Sequence, residues 1–239
     1  MKSLRQSLHK QDLLGLGIMV VLFAVFYLLF EEEILDDYWE TNVVLILINI
    51  IMSVSLNLIN GLTGQFSIGH AGFMAVGAYT SAIITVKLGM DFPIALIVAT
   101  VSAAFLGFLI GMPTLRLNGD YLAIATLGLG EIIRIAILNI DYVGGASGFM
   151  GIPRLTTFPV AFWITVFVVY FIKNFKNSAD GRACLAIREN EIAAETMGIN
   201  TTKYKVMAFT IGAGFAGTAG ALFSHYYYIA HPASFTFMR

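Results

Sequence analysis

Of the 239 residues, 58% are hydrophobic and 12% charged, with 14 Lys plus Arg against 15 Asp plus Glu for a net charge of −1. A soluble domain carries about 45–50% apolar and about 25% charged residues, so this composition excludes both a soluble fold and intrinsic disorder. The neutral balance offers no electrostatic footprint for nucleic acid. The single cysteine, Cys184, makes neither an internal disulfide nor a zinc site by itself. The chain reads as all-α, a polytopic bundle of transmembrane helices.

Residues 13–30 are 18 uncharged positions, roughly 27 Å as helix, close to the thickness of a hydrocarbon core. They follow Lys2, Arg5 and Lys10 and precede Glu31-Glu32-Glu33, where a cleavable signal would carry small residues, so a retained first span is expected. Residues 41–86 contain no Asp, Glu, Lys or Arg. A helix of that length would measure about 69 Å, more than two bilayer cores, so the chain must turn back inside it. The expected break is 57–72, where Gly61, Gly64, Gly69 and Gly72 interrupt the apolar pattern among Asn57, Asn60, Thr63, Gln65, Ser67 and His70. Irregular backbone at membrane depth survives only when buried in protein or lining a cavity. The break is therefore expected to be a broken or re-entrant segment, with Asn57, Gln65, Ser67 and His70 turned away from lipid.

Further apolar runs cover 92–115, 121–140, 155–172 and 206–230, for about seven spans in all. An N-terminus inside places Lys2, Arg5, Lys10, Arg116, Lys173, Lys176, Arg182, Arg188, Lys203 and Lys205 on the cytoplasmic side. It leaves Lys87, Arg154 and Arg239 outside, and the basic bias favours that orientation. Glu131 and Arg134 are the charges inside a span; at i,i+3 they can pair, and Glu131 is a candidate for a transport path.

Gly212-Ala213-Gly214-Phe215-Ala216-Gly217 matches a dinucleotide fingerprint by letter but sits inside an apolar run, with no preceding strand and no acidic residue at the right distance. Small residues at that spacing are expected to bring helix backbones together, as are Gly107 and Gly111. Gly145-Ala146-Ser147-Gly148 lacks the last glycine of a nucleophile elbow, and no Gly-Lys dipeptide offers a P-loop. No cofactor or metal is expected on this chain. The main hydrophilic segment, 173–205, predicts a helix over 181–197 capped by Ser178 or Asp180 and stopped at Gly198, then a second helix from Asn200-Thr201.

Ala193-Ala194-Glu195-Thr196-Met197-Gly198 resembles the cytoplasmic Glu-Ala-Ala-x-x-x-Gly loop by which ABC importer permeases contact their ATPase, with Ile192 where the motif has glutamate. The strings Asn57-Leu58-Ile59-Asn60-Gly61-Leu62-Thr63-Gly64-Gln65-Phe66-Ser67-Ile68-Gly69-His70-Ala71-Gly72-Phe73 and Gly119-Asp120-Tyr121-Leu122-Ala123-Ile124-Ala125-Thr126-Leu127 add to it. Together they resemble branched-chain amino-acid ABC transporter permeases of the LivM type, over about residues 42–232. The resemblance implies a permease subunit in the bacterial inner membrane. Its implied partners are a homologous second permease, two ATPase subunits that use the ATP, and a periplasmic or tethered solute-binding protein.

Arg182, Arg188, Glu189, Ala193, Ala194 and Gly198 are then the expected ATPase-coupling residues, and Asn57, Gln65, Ser67, His70 and Glu131 the expected path. Urea and amide importers use similar permeases. An ion-coupled secondary transporter would need several buried carboxylates and an inverted repeat, and an intramembrane enzyme would need catalytic pairs that the sequence lacks. The family continues beyond the equivalent of Phe235 with further glycine-rich spans, so this single permease domain, 1–239, is expected to lack its C-terminal spans.

Overall fold

All seven apolar segments form helices in a computed structural model, which describes residues 2–32, 35–115, 117 and 119–236, with backbone alone for 2–14 and 16. They are α1 (Lys2–Glu31), α2 (Asp37–Asn57), α3 (His70–Ala82), α4 (Phe92–Thr114), α5 (Asp120–Leu138), α6 (Phe158–Asn177) and, after two short helices, α9 (Thr201–Tyr227). The short pair is α7 (Ala179–Glu189) and α8 (Glu191–Thr196). Among the described residues five helices are long and apolar enough to cross a bilayer, namely α2 with its extension, α4, α5, α6 and α9. The described apolar part of α1, Gly17–Glu31, is shorter, and α3 starts inside the bundle for the reason given below.

The bundle is built around α9, whose most apolar stretch is 83% buried, against 17% for α5. Glycine makes this possible. A Cβ at Gly77 of α3 would overlap the Gly217 carbonyl, and one at Gly220 would overlap the Met74 carbonyl, so α3 and α9 meet backbone to backbone. On another side Gly217 faces Ala99 and Ala103, while Gly107 accepts Ala213. The dinucleotide-like string is thus a packing face, as small residues four apart allow. Hydroxyls bridge the same seams: Thr100 to Thr218 at 2.8 Å, Ser81 to Ser224 at 3.3 Å, and Thr85 to His225 at 3.0 Å.

On the other side α6 covers α2, and α1 packs on α6. Thr165 of α6 donates to the Leu47 carbonyl, and Phe158 is stacked by Phe23 at a ring distance of 5.9 Å and met edge-on by Phe30 at 5.1 Å. The aromatic contacts run Phe30 to Phe158 and Phe23 to Phe162, so α1 is antiparallel to α6.

The two ends of the bundle differ in charge. One end gathers the α6 C-terminus, α7, α8 and the α9 N-terminus, with Lys173, Lys176, Arg182, Arg188, Lys203 and Lys205. The other holds Lys87 over the Tyr142 ring and Arg154 near Glu40, among several carboxylates. Arg116 and Arg239 lie outside the described residues, as do the side chains of Lys2, Arg5 and Lys10. At the Lys87 end a glycine-rich loop is pinned by a two-residue antiparallel pair, β1 (Phe149–Met150) with β2 (Ile229–Ala230).

Gly77→Val or Gly220→Val should separate α3 from α9. Each forces side-chain atoms onto a backbone carbonyl, a cost of about 3 kcal/mol or more. The expected result is a lowered unfolding temperature in detergent, whereas Gly15→Val, whose Cβ meets nothing within 4 Å, should leave it unchanged.

Candidate functional site

The expected break is real, and its geometry is specific. The α-helical ladder of α2 gives way to a π-helical turn, Leu58–Leu62, and Gly64 at φ +69° then reverses the chain. Residues 65–68, outside any regular element, run back along the turn they have just left. The Gln65 amide donates to the Ile59 carbonyl at 3.2 Å. The Ser67 amide donates to the Asn60 side chain at 3.1 Å, and the Ile68 amide to the Thr126 hydroxyl at 3.1 Å. Gly69 fits only because it has no side chain, since a Cβ would overlap the Thr126 carbonyl. The return ends where His70 Nε2 shares a 2.8 Å hydrogen bond with Ser55 Oγ. Helix α3 therefore begins level with Ser55, about 10 Å short of the end of the π-helical turn at Leu62.

Gln65, Ser67 and His70 are buried, each less than 5% exposed. Both amide atoms of Gln65, the Ser67 hydroxyl and His70 Nδ1 have no hydrogen-bond partner among the described residues. Each such group costs about 1–3 kcal/mol, so the strand is polar beyond what packing needs. Ser67 and His70 border a cavity of about 400 Å³ with Asn49, Ser53, Asn60 and Met74. Gln65 instead borders a second cavity of about 310 Å³ toward α7.

Asn57 is exposed and borders neither cavity. Glu131 pairs with Arg134 at 2.8 Å, half-exposed on α5. It borders a small crevice, where Gly130 approaches Gly69. Sequence reading passed over Asn49, Ser53, Ser55 and Thr126. The signal for two of them was present: Asn49, Ser53 and Asn60 fall on one helical face.

The hydrophilic segment differs from the single helix expected over 181–197. Asn190, at φ −160° and ψ 109°, ends α7 and begins α8, accepting from the Ala193 amide at 3.0 Å. An Asn side chain competes with the helix ladder in this way and so caps rather than continues. Ser178, not Asp180, caps α7 through the Gly181 amide. Gly198 at φ +83° closes α8, with the Ile199 amide donating to the Ala194 carbonyl, a left-handed stop that favours glycine.

Cys184 and Ile187 are buried, whereas Ile192 and Met197 are 76% and 82% exposed. Ala194 is buried under the turn and Ala193 exposed. Arg182 bonds the Asn177 carbonyl. Arg188 holds Glu189 at 2.6 Å and the Gly61 carbonyl at 2.9 Å, so its guanidinium, still partly exposed, lies against the end of the π-helical turn. Glu191 pairs with Lys205, and Glu195 accepts from Thr201, fastening the pair to α9. Burial, helped by the Asp180 carboxylate, pushes the Cys184 thiol up to about 11.

Among the described residues no three or more His, Cys, Asp or Glu side chains are grouped to hold a metal. Residues 38–238 match the family model of the branched-chain amino acid transport system permease component. The high-affinity branched-chain amino acid transport system permease protein LivM of Escherichia coli K12 is 39% identical over 81% of this chain and 54% of its own length. Its Salmonella typhimurium counterpart is 38% identical over 80% and 53%. The LivH permease protein of that organism is 24% identical over 76% and 68%. No solved structure matches the chain significantly. The chain spans about half the length of the LivM proteins it matches in these two bacteria. With five helices among the described residues long and apolar enough to cross a bilayer and a family match over most of its residues, the chain is a multi-pass membrane protein and belongs to the branched-chain amino acid transport system permease components.

Proposed function

We propose that this chain is the membrane-spanning permease subunit of an ATP-driven importer of branched-chain amino acids, working in the bacterial inner membrane. The observation that carries this reading is the α7–α8 hairpin. It projects Ile192 and Met197 into the aqueous phase at the basic end of the bundle, apolar side chains of a kind that docking surfaces use. Two ATPase subunits hydrolyse the ATP, and one receives this hairpin. The similarity to both LivM and LivH proteins supports a homologous second permease as neighbour, and a solute-binding protein delivers cargo at the opposite end. The mainly apolar cavity with Asn49, Ser53, Asn60, Ser67 and His70 in its wall suits an aliphatic amino acid, with Gln65 in the second cavity toward α7. Glu131 lines the neighbouring crevice of the same path.

The N-terminus and the hairpin face the cytoplasm, following the basic end. Thiol labelling in intact cells tests this. Cys184 should remain silent, being buried and held above the pH of the medium as a neutral thiol. A cysteine at Ser147 should react with an impermeant maleimide, and one at Met197 only after the membrane is opened. Labelling of position 197 in intact cells would reverse the topology.

For docking, Gly198→Val places a β-branched residue in a left-handed cap, at a cost of about 1 kcal/mol or more, and Ala194→Glu puts a charge under the turn. Both variants should reach the membrane yet lose ATPase co-purification and uptake. Retention of both properties would make the hairpin an ordinary solvated loop.

For the path, Gln65→Leu and His70→Leu should lower uptake about tenfold or more while subunits still co-purify. Such a change replaces a buried hydrogen-bonding group by one that cannot serve a polar solute. Unchanged uptake in both would reduce the strand to packing.

A further inference from the structure

Arg188, one of the expected ATPase-coupling residues, also makes contacts inside the chain. The guanidinium leaves α7 and donates to the carbonyl of Gly61, 127 residues away in sequence, while its other edge holds Glu189. Gly61 lies in the π-helical turn at the end of α2, where carbonyls have lost their ladder partners and the helix dipole favours a cation. The same side chain lies along the reversal: a Cβ at Gly64 would stand 3.0 Å from Arg188 Cγ and 3.4 Å from its Cα.

Beyond Gly64 the chain has little slack. The Gln65 amide is bonded to Ile59, Ser67 to Asn60, Ile68 to Thr126, and His70 to Ser55. A displacement of α7 is thus delivered to the polar strand through one charge-assisted bond and one glycine contact. The attachments of the hairpin to α9, Glu191 with Lys205 and Glu195 with Thr201, form a separate route.

We propose that Arg188 is a positioning residue that ties the hairpin to the re-entrant strand, so that movement of the hairpin shifts Gln65, Ser67 and His70 directly rather than only through α9. This rests on the permease reading above. The tie makes use of the π turn, a local irregularity often found at functional points in helices. It also gives Gly64 a role other than chain reversal: it is the surface against which the Arg188 stem bears.

The test compares Arg188→Ala, Arg188→Lys and Gly64→Ala in the assembled transporter, reading ATPase co-purification, ATP hydrolysis and uptake separately. Arg188→Ala and Gly64→Ala should keep co-purification and hydrolysis but lower uptake per ATP about tenfold, the scale of one charge-assisted hydrogen bond. Arg188→Lys, which can still donate to Gly61, should recover part of it. If Arg188→Ala loses the ATPase while Gly64→Ala behaves as wild type, Arg188 is a docking residue and the tie is wrong. Unchanged uptake per ATP in Arg188→Ala overturns it as well.

A second readout works without any ATPase, so failure of the permease reading is distinguishable. A cysteine at Ser67, which is 3% exposed, should react with maleimide about tenfold faster when Arg188→Ala is added. No change in that rate would mean that Arg188 does not hold the strand.

Discussion

Backbone-to-backbone contact between α9 and its neighbours is the constraint on which the rest depends. In a bilayer the lipid tails are as apolar as any leucine, so helices gain little from mere burial and must associate through close packing and hydrogen bonds. Gly212, Gly217 and Gly220 let α2, α3 and α4 approach to where Thr100, Ser81 and Thr85 can find partners across the seam. Only with α3 held there can His70 sit level with Ser55, and only then does the returning segment 65–68 have a wall on both sides. The polar strand is a consequence of the glycine face.

That strand combines two physical extremes. Its backbone is well satisfied, with Gln65, Ser67 and Ile68 amides all bonded. Its side chains are not, since Gln65, Ser67 and His70 keep buried polar atoms without partners among the described residues. A rigid backbone that presents unsatisfied groups is what a site for a passing polar solute requires, because the solute can replace the missing hydrogen bonds at small reorganisation cost. The Glu131–Arg134 pair is of another kind: two charges one turn apart that neutralise each other on α5.

Much of this was legible in the sequence, and the misses have causes. The charge-free run 41–86 is too long for one span, so a break had to exist, and Gly61, Gly64 and Gly69 marked it. The left-handed Gly198 and the packing use of Gly212–Gly217 also followed from residue type and context. Asn190 did not, because the apolar spacing of Cys184, Ile187, Ile192 and Met197 runs through it, and a cap inside a periodic pattern is set by tertiary fastening of Glu191 to Lys205. Nor could spacing tell that Arg188 reaches Gly61, because its partner is a backbone carbonyl and carries no sequence signature. The starting level of α3 escaped for a similar reason: Ser55 and His70 look unremarkable until the fold sets them 2.8 Å apart.

The position of α9 in the chain has a consequence for biogenesis. It is synthesised after α2, α3 and α4, yet it is the element those three pack upon. At ribosomal elongation rates the interval between completion of α4 and completion of α9 is on the order of ten seconds. Throughout that time Ser81, Thr85 and Thr100 lack Ser224, His225 and Thr218. Newly inserted helices thus wait in the membrane with hydroxyls unmatched across the seam and glycine grooves open. This is a state that an insertion factor can shelter and that a membrane protease can recognise.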